Sequence, residues 1–114
     1  MHELAVTENI LIISDKYARE SHAVKVTKIN LVIGRLSSLV DDSVQFYWDI
    51  ISKDSLCQDA LLVFDRRPAI ISCYTCSNQY EIDNELQPCP KCGSPDIFVQ
   101  SGEEFYVDSI EIEK

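Results

Sequence analysis

Leu4, Ile10, Leu11, Ile13 and Tyr17 recur near one face at helical spacing, with Asp15, Lys16, Arg19 and Glu20 on the wet side and no Pro or Gly between them. The pattern predicts a helix over 4–20. The period then changes. Ile29, Leu31 and Ile33 alternate with Lys28, Asn30 and Val32, which predicts a strand over 24–34, ended by Gly34, with one face buried more fully than the other. Val44, Tyr47, Trp48 and Ile51 return to i, i+3, i+4, i+7 spacing. A second helix is expected over about 42–53, with Asp41 or Asp42 as its N-cap and Tyr47 and Trp48 in the core. Ala60 to Asp65 reads as a second strand, and Pro68 marks a boundary after Arg66 and Arg67.

From Pro68 to Glu103 the long periodic stretches disappear, and all four Pro, four of the five Cys and two of the three Gly lie there. After Gly102 a strand pattern returns. Phe105 and Val107 share one parity and Ile110 and Ile112 the other, a slip near Asp108 that suggests a bulge. A closing strand after the cysteine region predicts an insertion: the chain leaves its first domain near Arg67 and rejoins that domain's sheet near Phe105. The expected division is 1–67 with 104–114, and 68–103. The expected fold class is α+β, a small antiparallel-type sheet with two helices plus an inserted module of zinc-ribbon type.

Size and charge narrow the picture. A chain of 114 residues, 46% hydrophobic, is of one-domain size and can build a core. A stretch as short as 68–103 cannot do so alone and usually needs a metal or disulfides. Ten Lys and Arg stand against nineteen Asp and Glu, a net charge of −9. Such a chain is repelled by phosphate backbones and anionic membranes and suits cationic partners or metal ions. No basic segment precedes the short apolar run Ile10 to Ile13, as a secretory signal requires. Nothing approaches the roughly 18 apolar residues of a membrane span. Five cysteines cannot all pair internally, so a reducing cytoplasm is the simpler reading.

The strongest chemical signal is Cys73-Tyr-Thr-Cys76 followed, after twelve residues, by Cys89-Pro-Lys-Cys92-Gly93. Each Cys-x-x-Cys can wrap a tight knuckle that presents two sulfurs to one metal. Gly93 suits the left-handed position just after a knuckle, and Ser77 stands at the equivalent point of the first. Tetrahedral sulfur coordination suits zinc or iron, and a closed four-ligand set points to structural zinc. Two disulfides would conflict with the compartment. A thioredoxin-like redox pair would open a helix, whereas Pro88, Pro90, Gly93 and Pro95 surround this one. Zinc ribbons often bind nucleic acid, but between Pro68 and Glu103 the only basic residue is Lys91, against Glu81, Asp83, Glu85, Asp96 and Glu103. Phosphate contacts draw on Lys and Arg, so nucleic acid is not expected as a partner.

The start, Met1-His2-Glu3, is a weaker signal. The α-amine of Met1 and the amide and imidazole of His2 form a chelating array of three nitrogens, which suits tetragonal Ni(II) or Cu(II). A histidine near a terminus is more often just solvated, and Glu3 also favours a helix N-terminus electrostatically.

Met-His-Glu-Leu at the start, Ile-Gly-Arg-Leu-Ser at 33–37, the two Cys-x-x-Cys pairs with Cys-Pro-Lys-Cys-Gly-Ser at 89–94, Ser-Gly-Glu-Glu-Phe at 101–105 and Ser-Ile-Glu-Ile at 109–112 occur in that order. Over essentially its whole length the chain resembles the HypA/HybF family of hydrogenase nickel-incorporation proteins, departing at Ser38-Leu39 where many members have Ser-Gly. The resemblance implies a cytoplasmic nickel metallochaperone for [NiFe]-hydrogenase maturation, and in some organisms for urease. It implies His2 as the nickel ligand, with Met1 and Glu3 contributing backbone or side-chain donors, and Cys73, Cys76, Cys89 and Cys92 as zinc ligands. Nickel would be transient cargo and zinc structural. The implied partners are the nickel-handling GTPase HypB and the hydrogenase large-subunit precursor, with the chain itself a monomer or weak dimer. Affinity for nickel is expected to fall as pH drops through about 6.5, where a free imidazole takes up its proton.

The remaining candidates read more plainly. Cys57 is a packed thiol. His22 is solvated or partners the end of the first helix, with an auxiliary nickel donor as the alternative. Glu103, Glu104, Asp108, Glu111 and Glu113 form a solvated face able to dock a basic partner. No catalytic constellation assembles from two histidines, and no glycine-rich phosphate loop is present, so an enzyme is not expected. The competing reading is a zinc-ribbon adaptor that binds proteins without carrying nickel.

Overall fold

The computed structural model of the chain describes residues 3–82 and 85–114. Its elements run α1 (Glu3–Glu20), β1 (Lys25–Gly34), α2 (Asp41–Ile51), β2 (Leu61–Arg67), β3 (Ala69–Cys73), β4 (Gln79–Ile82), β5 (Ile97–Ser101) and β6 (Phe105–Glu113). Two helices and two three-stranded sheets make an α+β fold. The sheet orders are β2-β1-β6 and β4-β3-β5. The chain falls into two compact units, one of residues 3–31, 38–65 and 106–114, the other of 32–37 and the described residues of 66–105.

In the first unit α1 packs on α2, and of the large apolar residues that predict its buried face only Ile10 is fully buried. The buried positions of α1 are Thr7, Ile10, Ser14 and Ala18. Tyr17 is 57% exposed, and Leu4 and Ile13 are exposed as well. Small side chains let the helix backbone approach closely, and Thr7 returns its hydroxyl to the carbonyl of Glu3 at 2.5 Å, which removes its polarity from the interface. The helix ends as the backbone N–H of Ala23 reaches the carbonyl of Ala18 (2.9 Å) and His22 takes a left-handed φ of 58°. This is a Schellman-type stop with histidine where glycine is usual.

α2 buries Val44 and Trp48, with Tyr47 half-buried. Its N-cap is Val40 in an extended conformation, not Asp41 or Asp42. Those two carboxylates sit in the first turn, where they favour the helix through its dipole.

Along β1 burial alternates from Lys28 to Leu31 and is then complete through Gly34. Between β1 and β6, Thr27 Oγ1 donates to the Glu111 carbonyl, Asn30 Nδ2 donates to Ser109 Oγ and Lys28 pairs with the Glu111 carboxylate. Partner numbers fall as β1 advances, the antiparallel sense. On the other side of β1 the N–H of Val26 donates to Leu56 and that of Arg35 to Arg67, both at 2.8 Å. Partner numbers rise together there, as in the parallel pairing that a helical crossover permits. The parity slip of β6 falls at Asp108-Ser109, two consecutive exposed positions between the half-buried pairs Phe105, Val107 and Ile110, Ile112.

The second unit holds the strands that the sequence pattern does not reveal. β3 pairs antiparallel with β4 (Ile71 opposite Tyr80) and with β5 (Ile71 opposite Val99). Its core is Ala69, Ile71 and Ile82, with Leu36, Tyr80, Ile97 and Val99 against it. This is a small core, consistent with a unit that needs another source of stability.

Candidate metal centre

Cys73 is the last residue of β3 and Cys76 lies in the turn that follows, while Cys89 and Cys92 flank the turn before β5. Both turns are built alike. The N–H of Cys73 donates to Asn78 O (2.9 Å) and that of Ser77 to Cys73 O (3.0 Å); the N–H of Cys89 donates to Ser94 O (3.0 Å) and that of Gly93 to Cys89 O (2.7 Å). Ser77 and Gly93 occupy the same left-handed region, with φ of 63° and 74°. Thr75 Oγ1 donates to Ser94 Oγ at 2.9 Å and ties one turn to the other.

This wrapping brings together four sulfurs that lie within 4.8 Å of one another. The closest approaches run across the two turns, Cys73 Sγ to Cys92 Sγ and Cys76 Sγ to Cys89 Sγ, each 3.6 Å. All four thiols are free. Sulfurs about 2.3 Å from a central tetrahedral ion stand roughly 3.8 Å apart, so the spacing fits zinc. Among the described residues this is the one group of three or more metal-binding side chains.

The electrostatics agree. The backbone N–H of Cys76 holds the Cys73 thiol below its ordinary value. Burial pushes Cys89 up, but the N–H groups of Cys92 and Lys91 and the sulfurs of Cys76 and Cys92 together bring it down to about 6. The N–H of Ser94 pulls Cys92 down, yet burial and the three other sulfurs push it up to about 12. Four sulfurs this close cannot all ionise unless a cation sits among them. Asn78, which the sequence does not single out, places Nδ2 3.8 Å from Cys89 Sγ and donates to that sulfur.

Met1 and His2 lie outside the described residues. Glu3 opens α1, half-buried, and with Leu4, Ala5, Glu8 and Tyr47 lines a cavity of about 380 Å³. Glu8 and Tyr47 thus share this cavity with Glu3, which spacing alone does not suggest. His22 caps the opposite end of α1, about 26 Å along the helix from Glu3, and does not join a site there. Cys57 is fully buried, and burial, with the charge of Asp15 second, raises its thiol to about 11. A packed thiol is what the sequence leads one to expect.

A family model described as hydrogenase/urease nickel incorporation, metallochaperone, hypA matches residues 1–112. The chain is 40% identical over 113 residues to a hydrogenase maturation factor HypA of Dehalococcoides mccartyi strain 195, covering 99% of this chain and 95% of that protein. It is 38% identical to a protein of the same name from Caldanaerobacter subterraneus subsp. tengcongensis, over 99% of this chain and all of the relative. Its fold is similar to the solution structure of the Ni metallochaperone HypA from Helicobacter pylori, with a TM-score of 0.71, 25% identity and coverage of 99% and 98% of the two chains.

Proposed function

The chain belongs to the HypA family of hydrogenase/urease nickel-incorporation metallochaperones, and on that premise we propose that its own amino end binds Ni(II) and hands it to the precursor of a [NiFe]-hydrogenase large subunit. The observation that carries this reading is the family match running from residue 1, across Met1, His2 and Glu3. The amine of Met1 with the amide and imidazole of His2 supplies the nitrogen-rich set that tetragonal Ni(II) favours. Glu3, the first residue of α1, adds a backbone or side-chain donor. A planar ion held by terminal nitrogen donors would have an open edge, and ligands of the receiving protein could attack there.

Cys73, Cys76, Cys89 and Cys92 hold Zn(II) in a structural role. The closed sulfur set leaves no position free for a substrate, and the small core of the second unit needs the added stability. Nickel handling is assigned to 1–67 with 104–114, and zinc to 68–103. The pathway's GTP hydrolysis belongs to a HypB-type GTPase, because this chain has no phosphate loop and acts as a carrier, not an enzyme. The family description names urease beside hydrogenase, so delivery to urease is part of the same proposal. The site of action is the cytoplasm; no described helix is long and apolar enough to cross a membrane. The adaptor reading is not favoured, because the family is defined by nickel incorporation.

Calorimetric nickel titration of the untagged chain beside His2→Ala, with zinc counted in both, tests the proposal. The expected result is nickel binding lost in the variant with fold and zinc retained. Equal nickel affinity in the two would overturn it.

A further inference from the structure

An aromatic pair on the cysteine-bearing unit has no part in either metal site. Tyr74, inside the first Cys-x-x-Cys, is 63% exposed, and Phe98 on β5 is 38% exposed. Their ring centroids lie 4.4 Å apart with the planes inclined by 37°. The pair is not part of this unit's core, which is built around Ala69, Ile71 and Ile82. It is nonetheless held firmly. Tyr74 follows a metal-site cysteine, its N–H donates to the carbonyl of Asp96 (3.0 Å), and Phe98 is paired in the sheet opposite Ser72. Two large rings pinned together at the surface expose apolar area that hydrophobic burial would otherwise remove.

The surroundings are anionic. Asp96 is exposed beside the pair, Lys91 is the only Lys or Arg between Pro68 and Glu103, and Cys92 is exposed. Four thiolates around a divalent ion carry net negative charge. An aromatic face set among anions selects a cation, and of the biological cations guanidinium is the one that stacks flat while keeping donors free for a carboxylate. Bases also stack on exposed aromatics, but a nucleic acid needs cationic contacts to its backbone, and this surface repels it.

We infer that Tyr74 and Phe98 form a docking platform for an arginine in a basic segment of a partner protein. The inference borrows from the proposed function only the divalent ion at the four cysteines, and it is independent of nickel.

Zinc-loaded full-length chain is titrated with a short arginine-rich peptide, its lysine counterpart and a single-stranded oligonucleotide, following the ring resonances of Tyr74 and Phe98 by NMR. The arginine peptide shifts both rings saturably and binds at least about fivefold more tightly than the lysine peptide. Tyr74→Leu, which keeps apolar bulk but removes the ring, weakens the arginine peptide to the lysine level with zinc content unchanged. Phe98→Leu, outside the Cys-x-x-Cys pairs, carries the same expectation should Tyr74→Leu disturb the metal. Equal affinity for the two peptides, full binding by both variants, or ring shifts from the oligonucleotide would overturn the assignment. Nickel titration of the same samples keeps the two readings apart: failure there removes the carrier and leaves the platform standing.

Discussion

Gly34 lies against Gly102 so closely that a Cβ on Gly34 would stand 1.9 Å from the carbonyl oxygen of Gly102. Around this contact the N–H of Gly34 reaches Glu104 O and that of Leu36 reaches Gly102 O, both at 2.8 Å, while Arg66 donates to Gly34 O. The end of β1 therefore clasps both places where the chain enters and leaves the cysteine-bearing stretch. Gly102 is itself confined, with φ of 127° and room for a Cβ only 2.5 Å from that of Ala69. Gly34→Ala is expected to cost about 3 kcal/mol or more, since the obstacle is backbone that cannot swing away. Gly93→Ala is the control: it has nothing within 4 Å and only its φ of +74° to suffer. Its cost is about 1–2 kcal/mol. Urea unfolding of the zinc-loaded proteins by circular dichroism ranks the two, and an equal or larger loss for Gly93→Ala contradicts the steric account.

One residue added ahead of Met1 turns the proposed amine donor into an amide. Nickel affinity is expected to fall by roughly tenfold or more with zinc untouched, the scale of losses seen when a metal site is perturbed. Isothermal titration of extended and native chains gives the answer, and tight binding by the extended chain removes the amine from the ligand set.

Cys89→Ser alters one of the two metal-site cysteines that are only 2% exposed. Zinc content should fall to near zero, and amide protection in β3, β4 and β5 should collapse with it, because metal binding and folding are one free energy in such units. Cys57→Ser keeps the full zinc complement. Retention of zinc by Cys89→Ser, read by elemental analysis, counts against the four-sulfur site.

Cys57 carries a pH signature. Its thiol is raised from an ordinary 9.0 to about 11, mainly by burial. The folded chain keeps this proton longer than the unfolded chain, so the contribution is complete below pH 9 and is lost as pH rises through 11. The part lost is on the order of 2 kcal/mol. Chemical denaturation of the native chain and Cys57→Ala across pH 8 to 11 should give curves that converge as pH rises; parallel curves would show the thiol to be indifferent.

On α1 the packing makes Ala18, at 0% exposure, more sensitive than Tyr17 at 57%. Ala18→Leu should cost about 1–3 kcal/mol by overpacking, while Tyr17→Ala stays near 0.5 kcal/mol. Thermal melts of both variants decide it, and the reverse ranking restores the large-residue face as the buried one.

That reversal shows where sequence reading works and where it stops. The extent of α1 was legible because period and the absence of breakers are local properties. Beyond Ile10 its buried stripe was not, because hydropathy weights Leu, Ile and Tyr, whereas close helix contact selects Thr7, Ser14 and Ala18 for size. The four cysteines were legible because a metal demands particular atoms at a particular spacing. β3, β4 and β5 were hidden by their brevity and by the prolines and cysteines between them. The same holds for Val40 capping α2: two aspartates follow it, and residue preference alone picks them first. The Gly34–Gly102 contact joins residues far apart in the chain, and no local pattern encodes it.

The four sulfurs do not share the same view of water. Each Cys-x-x-Cys contributes one buried cysteine, Cys73 or Cys89, and one nearer the surface, with Cys92 the most exposed. Loading and loss of the ion therefore have a direction. An ion held there would meet chelators, oxidants and rival thiophilic metals first at Cys92, and the buried pair, one cysteine from each knuckle, would let go last.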